Sequence, residues 1–185
     1  MRGTLPARSA ESAWIYRSAS LTGARNTVAM ADERPVTDER DPVDVVTGMV
    51  DHVLALVDTW PAWDGEPRPI DDRIYTPNKA VRRVADHMVD HLAEVEARVA
   101  GEPPMPDHWH ASAITTAADR APFTADDRDE AHSRLERLAQ VWRIRLRALD
   151  DALLDRHEGD AWTIREIAFH VAESSYYADA VGDLS

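Results

Sequence analysis

Apolar residues recur along this chain at the three- and four-residue steps of amphipathic helices, and four such stripes can be traced. The first is Val43, Val46, Val50, Val53, Leu54 and Val57. It opens at Asp41-Pro42, an acid that can cap a helix followed by the residue best tolerated at a first helical position, and it stops by Pro61. The second stripe is Val81, Val84, Ala85, Met88, Leu92, Val95 and Val99, entered by Thr76-Pro77 and closed by Gly101 and Pro103. A third starts near Thr124-Ala-Asp-Asp127, a capping-box-like entry. It runs through Leu135, Leu138, Trp142, Leu146, Leu149 and Leu153 towards Gly159. The fourth opens at Thr163-Ile-Arg-Glu166, with a stripe of Ile164, Ile167, Ala168, Val171, Ser175 and Ala178. No alternating strand pattern competes, so the expected fold is all-α, an antiparallel-type four-helix bundle.

Residues 1–40 carry no such stripe and read as a disordered N-terminal extension, with the domain over residues 41–185. The first 29 residues hold Arg2, Arg8, Arg17 and Arg25 against a single acid, Glu11, and lack the apolar core of a secretory signal. Met30 opens the acidic, domain-like part and is an alternative start. The link from Gly101 to Phe123 is long for a bundle and contains Asp107-His-Trp-His110. Its length fits a crossover or a lid. His108 and His110 can cover a metal position, supply an acid or base, or serve only to pack Trp109 over the bundle end.

Composition narrows the function classes. With 44% apolar and 30% charged residues the chain is globular, and 185 residues are enough for one domain with a real core. A formal net charge of −13 argues against binding to nucleic acid or an anionic membrane, and no apolar run has the length of a membrane span. Cysteine is absent, which excludes disulfides, thiolate ligands and a cysteine nucleophile. Basic residues are almost all arginine, with Lys79 the sole lysine. With abundant Ala, Asp and Val, that is the composition of a GC-rich bacterial genome; the expected location is the cytoplasm.

The second and fourth stripes match each other. Laid without gaps, Val81-Leu92 and Ile164-Ser175 pair Arg82 with Arg165, Ala85 with Ala168, His87 with His170, Asp90 with Glu173 and His91 with Ser174. This reads as an internal repeat of two helix pairs about a pseudo-twofold axis. Stepping about 100° per residue from Val81 puts His87 at about 240° and His91 at about 280°, on the flank of the apolar stripe. Asp90 falls at about 180°, towards solvent. His170 and Ser174 take the matching flank positions, with Glu173 outward, so three imidazoles, of His87, His91 and His170, can converge between the helices.

Neutral imidazole binds zinc, nickel or iron well, and three protein ligands leave a coordination position open, as catalytic sites do. A flank histidine also serves simply as a hydrogen-bonded boundary residue. Glu173 is the alternative third ligand if the helix distorts locally. Tyr177, on the flank of His170, is a candidate hydrogen-bond donor in the pocket, whereas His52, His132 and His157 read as surface residues.

YTPNKAVRRVADHMVDHLAEVE resembles the two-histidine helix of the DinB/YfiT-like superfamily. AWTIREIAFHVAESSYYADAV resembles its Trp-x-x-Arg-Glu-Ile-x-x-His helix, through Trp162, Glu166 and His170. The resemblance covers roughly residues 42–182. It implies a bundle in up-down-down-up order with a divalent metal held by three histidines. It further implies transferase or isomerase chemistry with a small-molecule thiol such as mycothiol as cosubstrate. In that family the single-histidine helix comes second and the two-histidine helix fourth; here the order is reversed. The reversal fits either a swap permitted by the pseudo-symmetry or a lineage that lost the metal.

Three functions follow as expectations. The first is a metal-dependent enzyme acting on a small molecule with a low-molecular-weight thiol, where the ion lowers the pKa of the nucleophile. A metal-dependent hydrolase is its variant. The third is a non-catalytic bundle that binds a partner or forms a homodimer through a helix face.

Overall fold

The computed structural model of the 185-residue chain describes residues 40–70, 72–106, 113–159 and 161–185. The expected extension, as far as residue 39, lies outside the described residues, as do His108, Trp109 and His110. The chain is mostly helical: α1 is Pro42–Val57, α2 Pro77–Ala100, α3 Ala125–Arg147, α4 Asp151–Leu154, α5 Ile164–Ala172 and α6 Ser175–Asp179. A two-stranded antiparallel hairpin of β1, Arg68–Ile70, and β2, Arg73–Tyr75, leads into α2. Among the described residues no helix is long and apolar enough to cross a membrane.

Each long helix starts where the sequence supplies a partner for its first free amides. Asp41 Oδ1 accepts from Val43 N at 2.8 Å, and Thr76 Oγ1 accepts from Lys79 N at 3.2 Å. Thr124 with Asp127, and Thr163 with Glu166, form reciprocal capping boxes. Gly101 ends α2 at φ 75, a left-handed conformation that favours a residue without Cβ.

The apolar faces of α1 and α2 both pack on α3 and on the α5–α6 segment. Val46, Val53, Met88, Leu135, Trp142 and Ile167 make the centre of the shared core, and each is fully buried or nearly so. Trp142 also donates from Nε1 to the Met88 carbonyl at 3.1 Å, which ties α3 to the middle of α2. The start of α2 is held from outside by the segment after residue 112. There Thr76 Oγ1 donates to Asp119 O, Asn78 to Ala121 O, and the Arg82 guanidinium forks onto the Asp119 carboxylate at 2.9 Å.

Four expectations need correction. The hairpin is a strand element that the periodicity missed, because three-residue strands are too short to display an alternation. The third helix does not run on towards Gly159. It ends at Arg147, and Leu149 and Leu153 belong to a turn and to the short α4, capped by Asp150. The fourth helix breaks after Ala172, and the chain resumes helix at Ser175. Val99, counted in the apolar stripe, is 38% exposed in the last turn of α2.

Candidate metal centre

One flank of α2 carries a polar seam, Arg83, His87, His91, Glu94 and Arg98, at three- and four-residue steps. Because α2 packs on α5 and α6, this flank is closed over by Trp162, His170 and Tyr177. At its middle, His87, His91 and His170 each offer one ring nitrogen, and these nitrogens all lie within 4.8 Å of one another. The ring centroids form a nearly equilateral triangle: 4.7 Å for His87 to His91, 4.8 Å for His87 to His170 and 5.0 Å for His91 to His170. The three rings stand edge to face.

Two of the three are oriented by carboxylates. His91 Nδ1 is 3.0 Å from Glu94 Oε2, and His170 Nδ1 is 3.0 Å from Glu173 Oε2. A carboxylate only accepts, so each Nδ1 carries a proton, and in a neutral ring so held Nε2 keeps its lone pair for another partner. His87 has no carboxylate partner among the described residues. Its neighbour up the helix is Arg83, whose Nη2 donates to Tyr177 Oη at 3.2 Å and whose guanidinium lies 5.0 Å from the Tyr177 ring.

The environment favours the neutral form of His87 and His170. Burial first, then the neighbouring His91, His170 and Arg83, push His87 down to about 2. Burial and His91 lower His170 as well, with Glu173 pulling the other way. Burial alone would raise Glu94, but its hydrogen bond with His91 and the charge of Arg98 hold it below the usual carboxylate range. Neutral imidazoles with free lone pairs are the form that a metal requires.

Ligand nitrogens around one zinc ion, bonded at about 2.0–2.1 Å in a tetrahedral arrangement, lie roughly 3.3 Å apart. Nitrogens already within 4.8 Å reach that spacing by small rotations of side chains. The cluster can therefore hold a metal ion, and its all-imidazole donor set suits zinc, nickel or iron better than calcium or magnesium. The side chain of His170 is 26% exposed and that of His91 15%, so the cluster meets solvent on one side.

Several expected residues sit elsewhere. Ser174, paired by sequence with His91, is buried with its hydroxyl turned to Met49 Sδ of α1 at 3.7 Å. The break after Ala172 takes it off the flank. Glu173 is exposed yet not simply solvated, because it holds His170, and Asp90 is half-buried. Tyr177 is buried beside His87, with ring centroids 6.3 Å apart. His52 pairs with Asp179 at the surface, His132 bridges Asp58 and Glu136, and His157 is exposed.

No family model, curated protein or solved structure matches the chain. The centre therefore rests on its own geometry.

Sequence reasoning missed Glu94, Arg98 and Arg83. The signal was there in the first case: His91-x-x-Glu94 and His170-x-x-Glu173 share one spacing. The ungapped match hid it by pairing His170 with His87. By role, His170 corresponds to His91.

Proposed function

We propose that the chain is a divalent-metal enzyme acting on a small molecule, with His87, His91 and His170 as its three protein ligands. The observation that carries this reading is the closure of three imidazoles from two helices around one point, two of them with Nδ1 anchored on a carboxylate. In this reading the helices form a four-helix bundle of the DinB/YfiT-like kind, in which α5 and α6 together serve as the last helix. A zinc, nickel or iron ion held there supplies Lewis acidity, lowering the pKa of a thiol or water that reaches it. A low-molecular-weight thiol as cosubstrate agrees with a chain that has no cysteine of its own.

The remaining work falls to the protein. Glu94 and Glu173 fix the tautomers of His91 and His170, so that Nε2 is the donor in both. Trp162, with its ring centroid 4.7 Å from that of His170, covers one side of the centre and limits water there. Tyr177 Oη accepts from Arg83 and retains its own hydrogen, which it can donate to an oxygen of a substrate bound beside His87. Substrate enters along the exposed edge of His170.

The test is elemental analysis of untagged full-length protein. About one divalent transition metal per chain is expected. His87→Ala, His91→Ala and His170→Ala should each lower occupancy by about an order of magnitude or more. Stoichiometric metal retained in all three variants would end the proposal.

A second reading, a non-catalytic module that dimerises through a helix face, has one observation in its favour. Val141 and Ile144, one turn apart on α3, are 44% and 59% exposed. It predicts a dimer in sedimentation that Ile144→Glu dissociates, with no dependence on metal.

A further inference from the structure

Beyond the histidines, the polar seam ends at Arg98, a guanidinium only 8% exposed. Its two terminal nitrogens serve two different elements. Nη2 donates to Glu94 Oε1 at 2.5 Å, within α2. Nη1 donates to the backbone carbonyl of Trp162 at 2.5 Å, on the segment that leads into α5. Glu94 holds His91 through its other oxygen, and the Trp162 ring lies against His170. One side chain thus closes a continuous path, His91–Glu94–Arg98–Trp162–His170, around the outside of the cluster.

We propose that Arg98 is the positioning residue of the three-histidine centre, holding Glu94 to His91 with one arm and the Trp162 segment to His170 with the other. The inference rests on the metal reading above. Its physical basis is the shape of the group: arginine presents donors in a rigid planar fork and stays charged, so two acceptors at fixed separation can be held at once. A carboxylate as enclosed as Glu94 needs a cation beside it, or it abandons His91 for solvent. Trp162 O is the last carbonyl before Thr163, the N-cap of α5, so fixing it fixes the angle at which α5 delivers His170. Neither arm touches the ligand atoms. Arg98 acts through Glu94 and Trp162.

A purely structural arginine would also pin α2 to α5, so the test needs a readout that packing alone does not move. Apo full-length protein is titrated with cobalt(II) at low temperature, where destabilised variants remain folded, and the visible absorption of the bound ion is recorded. Arg98→Met loses both arms and should weaken cobalt binding by about 10- to 100-fold, with an altered absorption band. Arg98→Lys and Glu94→Gln each leave one arm in place and should lose less than Arg98→Met.

Wild-type affinity and an unchanged band in Arg98→Met, with only a lowered melting temperature, would reduce Arg98 to a packing residue. If Arg98→Met fails to fold, unchanged affinity in both Arg98→Lys and Glu94→Gln overturns the inference equally. If wild-type protein takes up no cobalt, or His91→Ala binds it as tightly as wild type, the three-histidine reading itself falls and this inference with it. That outcome is distinct from a failure of Arg98 alone.

Discussion

His91 and Glu94 are joined across one turn of α2 by a 3.0 Å contact from Nδ1 to Oε2, and α5 repeats the step in His170 and Glu173 at the same distance. The two pairs differ in their surroundings. The Glu94 side chain is 24% exposed and backed by Arg98, whereas that of Glu173 is 76% exposed. A hydrogen bond to an exposed carboxylate competes with water and orients its partner weakly; an enclosed one orients it strongly.

That difference sets the order of two substitutions. Glu173→Gln should lower metal affinity by less than Glu94→Gln does, when both are measured by competition with a chromogenic chelator. Ser174→Ala, whose hydroxyl faces Met49, should leave affinity unchanged. A loss of binding in Glu173→Gln larger than in His91→Ala would mean that the carboxylate is a ligand and His91 is not.

Metal removal should cost stability in step with the logarithm of affinity. An ion that binds only the folded chain, at a free concentration about 100 times its Kd, contributes about 2.7 kcal/mol. In a domain of this size that corresponds to roughly 5–10 °C in melting temperature. Calorimetry of wild-type protein with and without a strong chelator should show this drop, and His91→Ala should show almost none. Equal drops in the two proteins would place the stabilising ion elsewhere.

Much of the fold could be read from punctuation. Asp41-Pro42, Thr76-Pro77, Thr124 with Asp127, and Thr163 with Glu166 all mark helix starts, because each supplies an acceptor for amides that a helix leaves free. The three histidines could be found for a similar reason: residues on the flank of an apolar stripe are carried to the seam between helices. The breaks at Ala148 and after Ala172 had no such mark. Neither has glycine or proline, and at Ser174 the chain leaves the helix where a hydroxyl packs against Met49 of a distant helix. Glu94 and Arg98 were hidden because charged side chains on a helix flank usually face water. Here the neighbouring α5 lead-in encloses them, a tertiary fact that the shared His-x-x-Glu spacing marks for Glu94 and that nothing local marks for Arg98.

Trp142 offers a test of how the core supports the centre. Its Nε1 donates to the Met88 carbonyl, adjacent in sequence to His87, from a side chain that is completely buried. Trp142→Phe keeps an aromatic ring but removes this bond and leaves a void. A loss of about 1–3 kcal/mol is expected from chemical denaturation, with the metal still bound. No change in stability would mean that α3 and α2 are held together without it.

The pH dependence of stability should be governed on the alkaline side by Lys79 and Tyr75. Lys79 is fully buried, donating to Ile74 O at 2.8 Å and Thr115 Oγ1 at 3.0 Å. Burial, with the nearby Arg82 adding to it, lowers its pKa from 10.5 to about 8. Between those two values the unfolded chain binds a proton that the folded chain has released, so stability rises with pH. Below about pH 8 the ammonium is charged in both states, and the full cost of burying it is present. Tyr75 works in the opposite sense: burial and then Tyr176 raise it from 10.0 to about 12, so the folded chain keeps a proton that the unfolded chain loses. Stability should therefore climb from pH 8 to about pH 10, by on the order of 1–2 kcal/mol, and fall beyond it. Urea unfolding across that range checks the curve, and in Lys79→Met the climb should vanish while the fall remains. A wild-type curve that is flat or falling from pH 8 to 10 would mean that the Lys79 ammonium is charged and fully compensated by its two acceptors.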